Sequence, residues 1–150
     1  MQSSLFTAGV MAAPNKIFAS EQEKFIGKRP KLEDRNFVSE EVERIIKEVK
    51  SVIKDEEIAW IFENCFPNTL DTTIDFEIID GKPDTFVITG DIDAMWLRDS
   101  TAQVWPYMPL ISKGEKLKGL IKELINRQIK YDLLDPNVNI FYKNNSKVTH

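Results

Sequence analysis

The chain has 150 residues, 42% of them apolar and 29% charged, with a formal net charge of −4. That length and composition suit one folded domain with a real core, and the acidic balance gives no general attraction to nucleic acid or anionic membranes. One cysteine (Cys65) and one histidine (His150) exclude an intrachain disulfide and a His/Cys metal cluster, so chemistry must run on carboxylates, Arg, Lys, Tyr or amides.

Residues 5–13, LFTAGVMAA, form a short and only moderately apolar run. Asn15-Lys16-Ile17-Phe18-Ala19 follows, with Ala19 as a small-residue cleavage position, and Ser20 opens a polar stretch, so residues 1–19 read as the tail of an export signal. Thr7 and Gly9 inside the run suit a twin-arginine signal whose Arg-Arg portion is missing. The mature protein would then begin near Ser20, in the periplasm. The competing reading is an amphipathic arm native to the mature protein. No run reaches the roughly 18 apolar residues that span a bilayer. Residues 20–38 read as an extended lead-in.

From residue 39 the period becomes helical. Ser39 suits an N-cap, Glu40 and Glu41 suit the positive first turn, and Val42, Ile45, Ile46, Val49, Val52 and Ile53 share one face. Asp55 is placed to cap a second helix, Glu56–Cys65, which Pro67 ends. Its Ile58, Trp60, Ile61 and Phe62 are apolar on most sides, which predicts an interior position. β-branched residues over 72–79 and 85–89, around a loop at 80–84 containing Gly81 and Pro83, predict a β-hairpin. Its second strand runs into Gly90 and Asp91, which delivers the following polar residues to a rim. A third helix is expected from Asp99 as N-cap, short or bent because of Pro106 and Pro109. Gly114 separates it from a fourth, 115–131, with Leu117, Leu120, Ile121, Leu124, Ile125 and Gln128 along one face. Residues 137–150 read as polar loop. Four helices, one hairpin and no βα alternation predict a mainly α fold with a small β-hairpin.

The stretch 90–107, GDIDAMWLRDSTAQVWPY, concentrates Asp91, Asp93, Asp99, Arg98, Gln103, Trp96 and Trp105. Carboxylates and Arg can each hold two neighbouring hydroxyls while an aromatic face covers the C–H side of a sugar ring. A plain structural reading stands beside this one. In it Asp99 only caps a helix, Arg98 pairs with a carboxylate, and both tryptophans are core.

The longer string FVITGDIDAMWLRDSTAQVWPY, residues 86–107, resembles the signature of glycoside hydrolase family 125, the metal-independent exo-α-1,6-mannosidases. Arg127 and Gln128, followed by Asp135, Pro136 and Asn137 with Asn139 and Phe141, resemble that family's next landmark. The resemblance runs from about residue 29 onward, and family members are considerably longer than this chain. It implies that 39–150 is the N-terminal part of an (α/α)6 barrel catalytic domain, truncated here. Such a part would expose apolar faces and be unstable or adhesive alone. It also implies an inverting exo-α-1,6-mannosidase without cofactor or metal, whose partner is the terminal α-linked mannose of glycans.

Glycoside hydrolysis uses two carboxyl groups. By the resemblance both lie downstream of the matched blocks, so no catalytic acid or base is assigned in this chain. Binding residues do carry over. Arg98 and Asp99 reach hydroxyls of the mannose in the −1 subsite, with Trp96 and Asp91 forming or bracing its wall. Gln103 stands behind them one turn into the helix, and Asn137 and Asn139 are weaker candidates for the same pocket. Trp105 and Tyr107 are expected in the core. Two rival classes remain. Asp91-Ile92-Asp93 after a strand matches the DxD of metal-dependent glycosyltransferases, although no nucleotide-binding βαβ unit accompanies it. A non-catalytic carbohydrate-binding module, or an inactive truncated product, is the other.

Overall fold

Residues 25–143 are described by the computed structural model. The segment read as an export signal, 1–19, and the last seven residues, 144–150, lie outside the described residues.

Arg29 ties the lead-in to the fold. Its guanidinium donates to Asp71 at 2.7 and 3.1 Å and to Glu43 at 2.5 and 3.1 Å. Asp71 is buried, and a buried carboxylate is tolerable when a planar fork meets both its oxygens. Asn36 and Phe37 then donate backbone N–H groups to Asp71 and Leu70.

Helix α1 (Glu40–Val52) starts at the predicted cap, where Ser39 Oγ accepts from the Val42 N–H, and it buries Val42 and Ile46. Helix α2 (Glu56–Cys65) starts where Asp55 Oδ1 accepts from Glu57 and Ile58 at 2.9 and 3.1 Å. The boundaries agree with the sequence reading, but the burial differs. No α2 residue is buried, and Ile58 and Ile61 are 55% and 45% exposed. The helix packs on α1 from one side, with Phe62 stacked on Phe66, and its other apolar side faces outward.

After a single π turn, Thr69–Thr73, strands β1 (Ile74–Ile79) and β2 (Lys82–Val87) form the predicted antiparallel hairpin. The turn is tighter than expected. Asp80 and Gly81, at φ 51° and 74°, make it alone, as a two-residue turn with both residues left-handed. Lys82 and Pro83 therefore belong to β2. This strand lies against helix α4 (Glu115–Leu134), where Thr85 Oγ1 donates to the Leu120 carbonyl at 2.9 Å. Arg127 of α4 forms a buried ion pair with Asp84 and donates to the Tyr131 hydroxyl at 2.6 Å.

A second sheet was not anticipated. Strand β3 (Ala94–Trp96) pairs antiparallel with β4 (Ile140–Tyr142), Met95 standing opposite Phe141. Part of the stretch read as polar loop is thus a strand, held because Phe141 is buried with its ring stacked 4.3 Å from that of Tyr131. Helix α3 (Leu97–Val104) is short, as its prolines dictate, and passes into a 3₁₀ segment, Trp105–Leu110. Tyr107 is buried there, whereas Trp105, expected in the core, is 67% exposed. The core gathers α1, the hairpin, β3 and α4 around Val42, Leu70, Phe86, Met95 and Leu120. No described helix is long and apolar enough to cross a membrane.

Candidate functional site

Thr89 closes the loop that opens the 90–107 stretch. Its N–H donates to the Ala94 carbonyl at 2.9 Å, and its Oγ1 accepts the Trp96 N–H at 2.8 Å. Residues 90–93 are thereby turned outward, with Asp91, Ile92 and Asp93 exposed. Gly90 takes φ 96° at the start of this excursion, and a Cβ there would stand 4.0 Å from the Trp96 ring. The left-handed φ favours glycine, whereas the space beside the ring would admit a Cβ in ordinary contact.

The start of α3 is held by distant segments. The Leu97 N–H donates to the Asn139 carbonyl at 3.0 Å, extending the β3–β4 pairing by one bond. Gln128 of α4 places its Nε2 2.9 Å from both Ser100 Oγ and Thr101 Oγ1. The two sequence blocks that carry the family resemblance therefore meet in space. Sequence reasoning missed Thr89 and Gln128 as supports, since their partners lie across elements whose packing no periodicity reveals.

Asp99 is not the N-cap. Trp96 occupies that position without a side-chain bond, and Asp99 stands in the first turn. A carboxylate there is favoured by the helix dipole. Among the described residues its polar contact is Arg98, at 3.4 Å.

Thr89, Gly90, Trp96, Asp99 and Gln103 line an open cleft of about 370 Å³. Asp99 and Gln103 are one turn apart on α3 and so share a face. Arg98 is outside the lining, its side chain 91% exposed and 3.4 Å from Asp99. Asp91 and Asp93 stand on the exposed loop, outside the lining, and Asn137 and Asn139 are exposed on the separate connection between α4 and β4, also outside it. Gln103 Oε1 is buried without a hydrogen-bond partner among the described residues. Such an atom is uncommon in a folded protein. A ring wall, an acceptor-only carboxylate, a forked donor and an amide are together suited to a polyhydroxylated ring. Among the described residues no group of three or more His, Cys, Asp or Glu is arranged to hold a metal ion.

Two ionisable groups outside the cleft lining, Arg127 and Tyr107, anchor the surrounding elements. Burial favours loss of the Arg127 charge, but its hydrogen bonds to Asp84 and Tyr131 and its attraction to both together hold the guanidinium above its ordinary pKa. Burial pushes the Tyr107 phenol up to about 12, and its hydroxyl donates to the Phe66 carbonyl at 2.5 Å. That bond fastens the segment after α3 to the end of α2.

A family model described as metal-independent alpha-mannosidase (GH125) matches residues 55–150, which include both blocks. The chain belongs to glycoside hydrolase family 125. This family-125 chain is 46% identical over 114 residues to the Meiotically up-regulated gene 157 protein of Schizosaccharomyces pombe, covering 75% of the chain and 22% of that protein. It is also similar to a solved Streptococcus pneumoniae structure from a family of metal-independent alpha mannosidases, a non-productive complex with alpha-1,6-mannobiose. That likeness has a TM-score of 0.64 and 41% identity, covering 73% of this chain and 25% of the solved one. The family-125 chain therefore spans a quarter or less of the length of these relatives. Its helices and hairpin form part of an (α/α)6 barrel.

Proposed function

We propose that this chain carries the terminal-mannose subsite of an exo-acting α-1,6-mannosidase, inverting and independent of metal, that works in a polypeptide of family length. The observation that carries this reading is the cleft where Trp96 and Asp99 meet beside Arg98, inside the region the family model matches. The α-1,6-mannobiose bound by the S. pneumoniae relative supports the substrate class.

In this reading Asp99 accepts from one mannose hydroxyl and Arg98 donates to its neighbour. Bonds of this kind, with one ionised partner, are about twice as strong as neutral ones. Trp96 covers the apolar ring face, and Asp91 braces the wall from the loop. An inverting glycosidase sets an acid and a base about 6.5–9.5 Å apart with the attacking water between them. Neither role is given to Asp91, Asp93 or Asp99. Both belong to segments outside this chain.

The test is a stereochemical assay. The family-length enzyme should release β-mannose first from α-1,6-mannobiose, seen by proton NMR before mutarotation, and should keep its rate in EDTA. α-Mannose as first product would overturn inversion. A rate lost in EDTA and restored by Mn²⁺ or Zn²⁺ would overturn metal independence. The 150-residue chain alone should release no mannose, and turnover by it would move the acid and base into this chain.

A further inference from the structure

Gln128 lies on α4, outside the lining of the cleft, yet its carboxamide reaches three groups in the first turns of α3. Nε2 is 2.9 Å from Ser100 Oγ, 2.9 Å from Thr101 Oγ1 and 3.2 Å from the Leu97 carbonyl. Both hydroxyls in turn donate to that same carbonyl, at 3.0 and 2.9 Å. The protons therefore have one consistent arrangement. Each hydroxyl hydrogen is committed to Leu97 O, each hydroxyl lone pair is open, and the two amide N–H groups fill them. Ser100 is buried and Gln128 half-buried, and a satisfied neutral network in such a place rigidifies what it joins.

The gripped residues, Leu97, Ser100 and Thr101, bracket Arg98 and Asp99 in the chain. Leu97 is held at both of its peptide groups, its N–H by Asn139 and its carbonyl by the network. Without the amide, Ser100 and Thr101 keep their bonds to Leu97 and the helix survives. Its first turn, however, loses the side-chain tie to α4 that fixes its rotation beside the cleft. Displacing a binding group by about 1 Å can cost on the order of a hundredfold in rate.

We propose that Gln128 is a positioning residue, whose carboxamide sets the pose of Arg98 and Asp99 toward the sugar by gripping Ser100 and Thr101 and, through their hydroxyls, Leu97. The inference rests on the reading of Arg98 and Asp99 as mannose-binding groups.

A double-mutant cycle on the family-length enzyme tests it, with kcat/KM for α-1,6-mannobiose and melting temperature measured for wild type, Gln128→Met, Asp99→Asn and the double variant. Gln128→Met should lower kcat/KM about tenfold or more, and by less than about threefold once Asp99 is already Asn, because a coupled pair is not additive. A lowered melting temperature with kcat/KM within twofold of wild type would make Gln128 merely structural and overturn the proposal. An equal loss in both backgrounds would also overturn it. If Gln128→Met does not fold, Ser100→Ala with Thr101→Val removes the same contacts from the other side. Normal kinetics there sinks the proposal as well. Wild-type enzyme that releases no mannose takes down the mannosidase reading and this inference together, whereas wild-type turnover matched by Gln128→Met takes down this inference alone.

Discussion

Asp99 is a good N-cap by residue type, yet Trp96 fills that position and the Asn139 carbonyl takes the Leu97 N–H. Its carboxylate is thus available to a ligand. Asp99→Asn keeps the shape and removes the charge, and the side chain is 44% exposed. Stability should therefore change by no more than about 0.5 kcal/mol, as for surface substitutions without a special role. kcat/KM of the family-length enzyme should fall tenfold or more, equivalent to about 1.4 kcal/mol or more of transition-state stabilisation. Thermal melts and steady-state kinetics on the one variant decide the matter, and unchanged kinetics would remove Asp99 from the subsite. Arg98 is a different case. With 91% of its side chain exposed and Asp99 at 3.4 Å, its ion pair is of the solvated kind that contributes little to stability.

Helix α4 is the element on which fold and site depend together. Two adjacent residues divide its work, Arg127 toward β2 and Gln128 toward α3. The Arg127 guanidinium pairs with Asp84 and lies 5.4 and 5.5 Å from the ring centroids of Phe86 and Tyr131, so the charge is enclosed on several sides. Asp84→Ala leaves that charge buried and unpaired, which should destabilise the protein by about 3–5 kcal/mol. Urea denaturation of the variant measures this. A cost below about 1 kcal/mol would mean that Arg127 escapes to water and that the joint between hairpin and helix is loose.

At the scale of the whole molecule, apolar side chains stand open along α2 and α4, including Ile58, Ile61, Ile129 and Leu133. The chain covers a quarter of the solved relative's length, and in an (α/α)6 barrel each helix packs on neighbours from both sides. The dependence of stability on pH follows from two buried or paired groups. Hydrogen bonding from Arg29 holds the Glu43 carboxyl below its ordinary range, so its contribution is present above that range and lost as pH falls through the lowered value. Tyr107 has the opposite sign. Its phenol ionises near 10 when unfolded and at about 12 when folded, so its stabilisation is complete below pH 10 and disappears as pH rises toward 12. Melting temperature against pH should show a plateau that falls on both sides. A flat alkaline side up to pH 12 would contradict the enclosure of Tyr107.

The first two caps and the place of the hairpin turn were legible in the residues themselves, though the Asp99 cap and the length of the turn were not. Ser39 and Asp55 start their helices through bonds to N–H groups only two or three residues ahead. The prolines cut α3 short through their own rings, and Asp80 with Gly81 turns the hairpin. The two motif blocks were legible for another reason, because a run of side-chain identities names a family without any packing. Tertiary structure alone decided which blocks meet and what each side chain does there. Met95 opposite Phe141, Leu97 against Asn139 and Gln128 against Ser100 join residues far apart in the chain. It also decided that α2 and Trp105 lie open although their composition is that of a core. Burial is a property of what arrives against a surface, and helical or strand periodicity describes only the surface.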